Sequence, residues 1–246
     1  MNRLLEDSIL FEDSWVIAIN KPSGLFTQAA RGVPSLQVQV SEFLQARNRS
    51  SGVPFVGIIH RLDRPTSGVV LFGLNTSAVR RLNDQFRERT IVKTYLAIVK
   101  GVADESGLAT DWLRKIDDVA KGELCGQDDA GAKLAKLAWR RVATQDGYSL
   151  VQVELETGRM HQIRLQLSSR GWPIVGDDLY GVGSRENERE FQGDVTEESS
   201  QSNLFGLHAV NLTFRHPKTA KEICLSSPLP DLWLVSFPWL ASVDLP

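Results

Sequence analysis

Residues 57–73, GIIHRLDRPTSGVVLFG, set His60, Arg61, Asp63 and Arg64 within five positions, between apolar runs at 58–59 and 69–72. One carboxylate and two guanidiniums at such a turn need a reason. A core does not tolerate unpaired charge, and a surface turn requires no such cluster. Farther along, TGRMHQIR places Arg159 and Arg164 on either side of His161. A carboxylate beside a guanidinium stays ionised, and an ionised carboxylate in a dry cleft is a nucleophile or a base. Asp63 also has a structural reading, as a turn residue paired with a neighbouring arginine. Strands on both sides favour the chemical one, because they would hold the carboxylate in place.

The elements that must do this positioning follow from the pattern. ILFEDSWVIAINKPSG reads as two short strands around an acidic turn, ending in a Pro/Gly loop. Pro34 and Ser35 open a helix with Leu36, Val40, Phe43 and Leu44 on one stripe. Strands at 58–59 and 69–74 flank the charged turn, and Asn75 or Thr76 caps a helix that faces Val79, Leu82 and Phe86 inward. Residues 91–101 form a buried strand, and 102–132 read as irregular. A hairpin turns at Asp146–Gly147. RMHQIRLQLSSRGW is a short helix closed by Gly171. Residues 183–203 form a polar, mobile loop, followed by two late strands and a last short helix over LPDLWLVS. Hairpins mixed with scattered helices indicate an α+β class.

The chain has 246 residues, 42% hydrophobic and 24% charged, as in an ordinary globular protein. Its N-terminus carries acids where a signal peptide needs an apolar stretch, and no run is long enough to span a membrane. Two distant cysteines, Cys125 and Cys224, fit the reducing cytoplasm. The net charge of −2 hides an asymmetry: residues 185–198 carry −4, and the rest of the chain carries +2. Basic residues recur at Arg80, Arg81, Arg87, Arg89, Lys93 and Lys100. They form either a solvated helix face or a surface for phosphates.

No dinucleotide fingerprint, Walker loop, zinc-protease, EF-hand or nucleophile-elbow pattern is present. The four histidines, His60, His161, His208 and His216, form no metal motif; taken singly, each reads as a hydrogen-bonded structural residue. The site uses side chains, with a carboxylate as its most unusual member.

HRLDRPTSG resembles the signature of the RluA-type pseudouridine synthases. INKPSG (19–24), KTYLAIVKG (93–101), TGRMHQIRLQL (157–167), GWPIVGDDLYG (171–181) and LHA (207–209) are similar to further blocks of that family, in the same order. The resemblance implies one catalytic domain over residues 1–246. Its fold would be a central mixed, largely antiparallel sheet in two halves, with an RNA-binding cleft between them. Beginning at the catalytic core, the chain resembles members without the RNA-binding S4 module, which modify tRNA or rRNA.

By motif match, Asp63 is the catalytic aspartate, Tyr95 stacks beneath the uracil and is a candidate base, and Arg164 forms a salt bridge to Asp63. Arg61 enters the gap left by the target base. His60, Arg64, Arg159 and His161 join Arg61 as expected RNA contacts. The implied reaction isomerises uridine to pseudouridine. It exchanges no group or electron with another molecule, so no cofactor is implied, and no metal, membrane or obligate protein partner. Asp63 either attacks C1′ or removes the C2′ proton, and the target base must first leave its stack.

The sequence departs from the family at Gln166, where a histidine is usual, and in its acidic 185–198 insert. Two other classes stay in view: a catalytically silent RNA-binding or assembly protein on the same fold, and a hydrolase using Ser67. Pro65–Thr66–Ser67–Gly68 reads more simply as turn chemistry.

Overall fold

The computed structural model of the chain describes residues 3–30, 32–48, 52–117, 119–181 and 204–245. The polar 183–203 loop expected from the sequence, with its acidic 185–198 insert, lies outside them. Described residues divide into two compact units, Met1–Thr94 with His208–Leu229, and Tyr95–Leu207 with Pro230–Pro246. The elements are α+β, as expected.

In the first unit, β1 (Ile9–Glu12) and β2 (Val16–Lys21) form the expected hairpin. The turn is set by Asp13, whose carboxylate accepts the N–H groups of Trp15 and Val16 at 2.7 and 2.9 Å. β2 pairs antiparallel with β4 (Ser67–Gly73), which also takes the two-residue β3 (Gly57–Ile58). Every residue of β4 is buried, which explains its continuous apolar run. β10 (Leu207–Arg215) runs parallel to β4, with His208 opposite Ser67 and Ala209 opposite Gly68. β11 (Glu222–Ser226) completes the unit antiparallel to β10. The sheet is therefore mixed.

Gly68 has φ +111°, and a Cβ there would lie 2.2 Å from the Ala209 carbonyl oxygen. Only glycine allows β10 this close. Helix α1 spans Arg3–Glu6 and α2 spans Leu36–Asn48. Helix α3 (Thr76–Glu88) is capped by Asn75, whose side chain accepts the Ala78 N–H at 2.8 Å. It buries Ala78 and Leu82 against Val16, Val69, Leu71 and Phe214.

In the second unit, β5 (Val92–Lys100) adjoins β9 (Tyr148–Leu155), then β8 (Lys133–Gln145), β6 (Ser106–Lys115) and β7 (Gly122–Cys125). The β8–β9 hairpin turns where the sequence indicates, with φ +52° at Asp146 and +78° at Gly147. Two positive values side by side match the twist of the strands. The region read as irregular, 102–132, instead holds β6 and β7, which pair antiparallel. β6 buries only Ala109 and Leu113, so its apolar alternation is too broken to be seen in sequence. Helix α4 (Gln162–Ser168) and, near the end of the chain, α5 (Asp231–Ser236) belong to this unit. No helix among the described residues is long and apolar enough to cross a membrane.

Candidate active site

The first unit carries the charged turn between β3 and β4. Its backbone is stitched to the loop after β2, residues 22–27. Lys21, fully buried at the end of β2, donates to three carbonyls: Pro22 (2.9 Å), Leu25 (2.7 Å) and Arg64 (3.1 Å). Ser23 donates to Pro65 O at 2.6 Å, and Gly24 N to Arg64 O at 2.9 Å. Thr27 Oγ1 accepts the Leu62 N–H at 3.1 Å and donates to Leu62 O at 3.0 Å. These bonds fix the backbone on both sides of Asp63. Thr66 N donates to Asp63 O at 3.1 Å, closing the turn. Burial pushes the Lys21 ammonium down to about 7, while the negative charge of Asp63 acts in the opposite direction.

The turn residues separate by environment. Arg61 and Arg64 are exposed, and Asp63 is half-buried. Arg64 donates through Nε to Gly24 O at 3.0 Å and lies over the Phe26 ring, 5.2 Å from its centroid. His60 accepts the Leu71 N–H on Nε2 at 3.0 Å, and its ring stacks on Phe86 with centroids 5.2 Å apart. Burial, with Lys93 nearby, pushes this imidazole down to about 4. It is neutral at pH 7 and offers RNA no charge. Ser67 is hydrogen-bonded to His208 Nδ1 at 2.8 Å inside the β4–β10 pair.

The second unit carries the other candidates. Tyr95 is buried near the start of β5. Arg159, His161 and Arg164 lie at the start of α4, after a turn locked by side chains. Gln162 Oε1 accepts from Thr157 Oγ1 (2.8 Å) and Arg159 N (3.0 Å), while its Nε2 donates to Lys136 O at 3.0 Å. Within this turn His161 takes φ +55° and leads into the helix. Arg159 spends its Nε on Leu134 O at 2.9 Å. His161 Nδ1 is hydrogen-bonded to the Tyr180 hydroxyl at 2.8 Å, and that hydroxyl also accepts Gly122 N at 2.8 Å.

Arg164 is buried and grips Asp177 with two bonds, Nε to Oδ2 and Nη2 to Oδ1, each 2.7 Å. Gln166, fully buried, donates to Asp111 at 2.6 Å and to Ala135 O at 3.3 Å, tying α4 to β6 and β8.

Sequence reasoning missed Lys21, Ser23, Thr27 and Asp177. All four lie in or beside segments whose type was recognised, but no spacing signals their partners, which come from distant loops. Among the described residues, no three His, Cys, Asp or Glu side chains are grouped to hold a metal ion.

Residues 15–169 match the family model described as RNA pseudouridylate synthase. The chain is 34% identical over 236 residues to the ribosomal large subunit pseudouridine synthase C of Escherichia coli O157:H7, covering 92% of this chain and 68% of that protein. It is also 34% identical over 234 residues to the protein of the same name from Shigella flexneri, covering 92% of this chain and 67% of that one. In structure it resembles the human RNA pseudouridylate synthase domain containing 4, with TM-score 0.78 and 23% identity over 99% of this chain and 96% of the other.

Proposed function

The chain belongs to the RNA pseudouridylate synthase family and is an RNA pseudouridine synthase, an isomerase that binds RNA; on that footing we propose that Asp63, Tyr95 and Arg164 carry the reaction and that the substrate is large-subunit ribosomal RNA. The substrate follows from its relatives, which are ribosomal large subunit pseudouridine synthases. Both compact units act as one catalytic domain. In support of this, the chain passes from one unit to the other three times.

Asp63 is the carboxylate directed at the ribose. The N1–C1′ bond breaks, the uracil turns, and C5 bonds to C1′. The proton on C5 then leaves to water and N1 takes one up, so no group or electron is exchanged with a second molecule. Asp63 drives this either by adding to C1′, its bond to C1′ breaking as C5 joins, or by taking the C2′ proton and returning it to C2′ when C5 joins C1′. Tyr95 stacks on the uracil. Arg164 is the guanidinium partner that orients the carboxylate. Arg61, Arg64, Arg159, His60 and His161 are RNA contacts, with Arg61 filling the space the flipped base vacates and His60 contributing only as an uncharged ring. The location is the cytoplasm, where the Cys125 and Cys224 thiols stay reduced.

The observation that supports this reading most is the stitching of the Asp63 turn. A buried lysine bonded to Arg64 O, and hydroxyls from Ser23 and Thr27, hold a charged turn far more firmly than a surface loop requires. The test is pseudouridine mapping across large-subunit rRNA from a deletion strain and its parent. Loss of a pseudouridine at a defined rRNA position, restored by the wild-type gene, supports the assignment. An unchanged rRNA map with a lost site in tRNA would move the substrate to tRNA.

A further inference from the structure

We propose that Asp177 is a positioning residue for the isomerisation, acting through Arg164 by fixing the plane and direction of its guanidinium. The inference rests on the role given to Arg164 above. Its basis is the division of work between the two carboxylate oxygens. Oδ2 accepts the Arg164 Nε–H, and Oδ1 accepts from Nη2, both at 2.7 Å. Oδ1 also accepts the backbone N–H groups of Leu179 at 3.0 Å and Tyr180 at 3.2 Å. The turn after Asp177 therefore holds the carboxylate, and the carboxylate holds the arginine.

The surroundings leave the pair little room to move. The side chains of Arg164 and Asp177 are only 4% and 1% exposed. The guanidinium carbon lies 5.1 Å from the Tyr180 ring centroid and 5.2 Å from that of Phe205. Tyr180 is itself anchored: its hydroxyl meets Gly122 N and His161 Nδ1, and its carbonyl accepts the Ser168 hydroxyl. An arginine on a flexible stem has many rotamers. Two parallel bonds to one carboxylate select a single geometry. Held along its Nε–Nη2 side, the guanidinium presents its Nη1 end in one direction. That fixed edge is what a salt-bridge partner of a reacting carboxylate needs.

The test is single-turnover conversion of uridine in an RNA labelled with tritium at C5, with the full chain in saturating excess. Wild type, Asp177→Asn, Arg164→Ala and the double variant are compared. Asparagine keeps Oδ1 for the turn and replaces Oδ2 by an N–H donor facing Nε–H, which breaks one half of the fork. The rate constant of Asp177→Asn should fall about 10- to 100-fold, the scale of an ångström-sized misplacement, with the RNA dissociation constant within about twofold of wild type. The double variant should be no slower than Arg164→Ala, because a residue that acts only through another adds nothing once that other is gone. Partial misfolding lowers the active fraction, which excess enzyme conceals, so the rate constant reports positioning. Should Asp177→Asn fail to fold by circular dichroism, Asp177→Glu carries the same comparison, keeping the charge and moving it by one methylene.

Two results would overturn the inference while the role of Arg164 stands. One is a wild-type rate constant for the Asp177 variant beside a slow Arg164→Ala. The other is an Asp177 substitution that slows Arg164→Ala by the same factor as it slows wild type. A wild-type rate for Arg164→Ala would instead remove the role of Arg164 itself, and this inference with it.

Discussion

The side-chain nitrogen of Lys21 donates to the carbonyl oxygen of Arg64 at 3.1 Å, across 43 positions of the chain. Its other two bonds go to Pro22 and Leu25 in the loop that follows it. One buried group thus joins that loop to the turn bearing Asp63. Lys21→Met keeps an unbranched side chain, one atom shorter, and removes every donor. Stripping a donor from buried acceptors costs about 1–3 kcal/mol each, and three acceptors lose theirs, so the variant should be destabilised by about 3 kcal/mol or more. Thermal melting by circular dichroism and single-turnover kinetics should both show the loss. A variant that melts and reacts like wild type would mean that the turn holds itself.

Gly68→Ala tests the other end of the turn. Its Cβ would sit 2.2 Å from Ala209 O, on a backbone with φ +111°. Neither strain can be relieved without moving β10, so the loss should be about 3 kcal/mol or more. The readout is the urea midpoint; an unchanged midpoint would show that β4 and β10 can separate at little cost.

Acid should weaken the fold through its buried histidines. His60 and His208 are each pushed by burial down to about 4 from an ordinary 6.5. Between those values the unfolded chain binds protons that the folded chain does not, so stability is full above about 6.5 and falls as pH drops towards 4. The melting temperature should decline over that window. His60→Gln still offers an oxygen to the Leu71 N–H and cannot titrate, so its decline should be shallower. A curve identical to that of wild type would show that His60 is not among the groups responsible.

Much of this was legible in the sequence because local chemistry and global packing agree. Asp146–Gly147 between alternating arms specifies a hairpin in almost any context, and Asn75 ahead of an apolar stripe specifies a helix start. β6 was illegible for the opposite reason. It is recognised through its pairing with β8, a relationship between segments, and most of its own residues face partly outward. In the site, the unusual cluster around Asp63 stood out by type and spacing. The partners of that cluster did not. Lys21 reads as one more surface lysine until three carbonyls converge on it, and Asp177 reads as a loop acid until Arg164 is seen against it. Burial of a charged group depends on groups contributed from elsewhere in the chain, and the one-dimensional pattern does not record them.

Arg61 is exposed beside the half-buried Asp63, and its proposed role is to fill the stack left by the flipped base. Extruding a nucleotide costs a few kcal/mol of stacking and pairing, and a planar guanidinium can replace part of both. Arg61→Ala should slow conversion of a folded RNA target by about tenfold or more, consistent with a loss of about 1.4 kcal/mol or more. With the same uridine in an open loop, the loss should shrink. Equal losses on the two substrates would reduce Arg61 to an anchor of the turn.

In the proposed mechanism the carboxylate of Asp63 performs the chemistry. Asp63→Asn preserves the shape of the side chain and removes both nucleophilicity and basicity. The measurement is tritium release from C5-labelled large-subunit rRNA under single-turnover conditions, with melting and RNA binding recorded on the same preparation. The expected result is a folded variant that binds the RNA and releases tritium at less than about a hundredth of the wild-type rate, since removing such a group costs about 10²–10⁴-fold. A folded Asp63→Asn variant that still releases tritium at more than about a hundredth of the wild-type rate would contradict it.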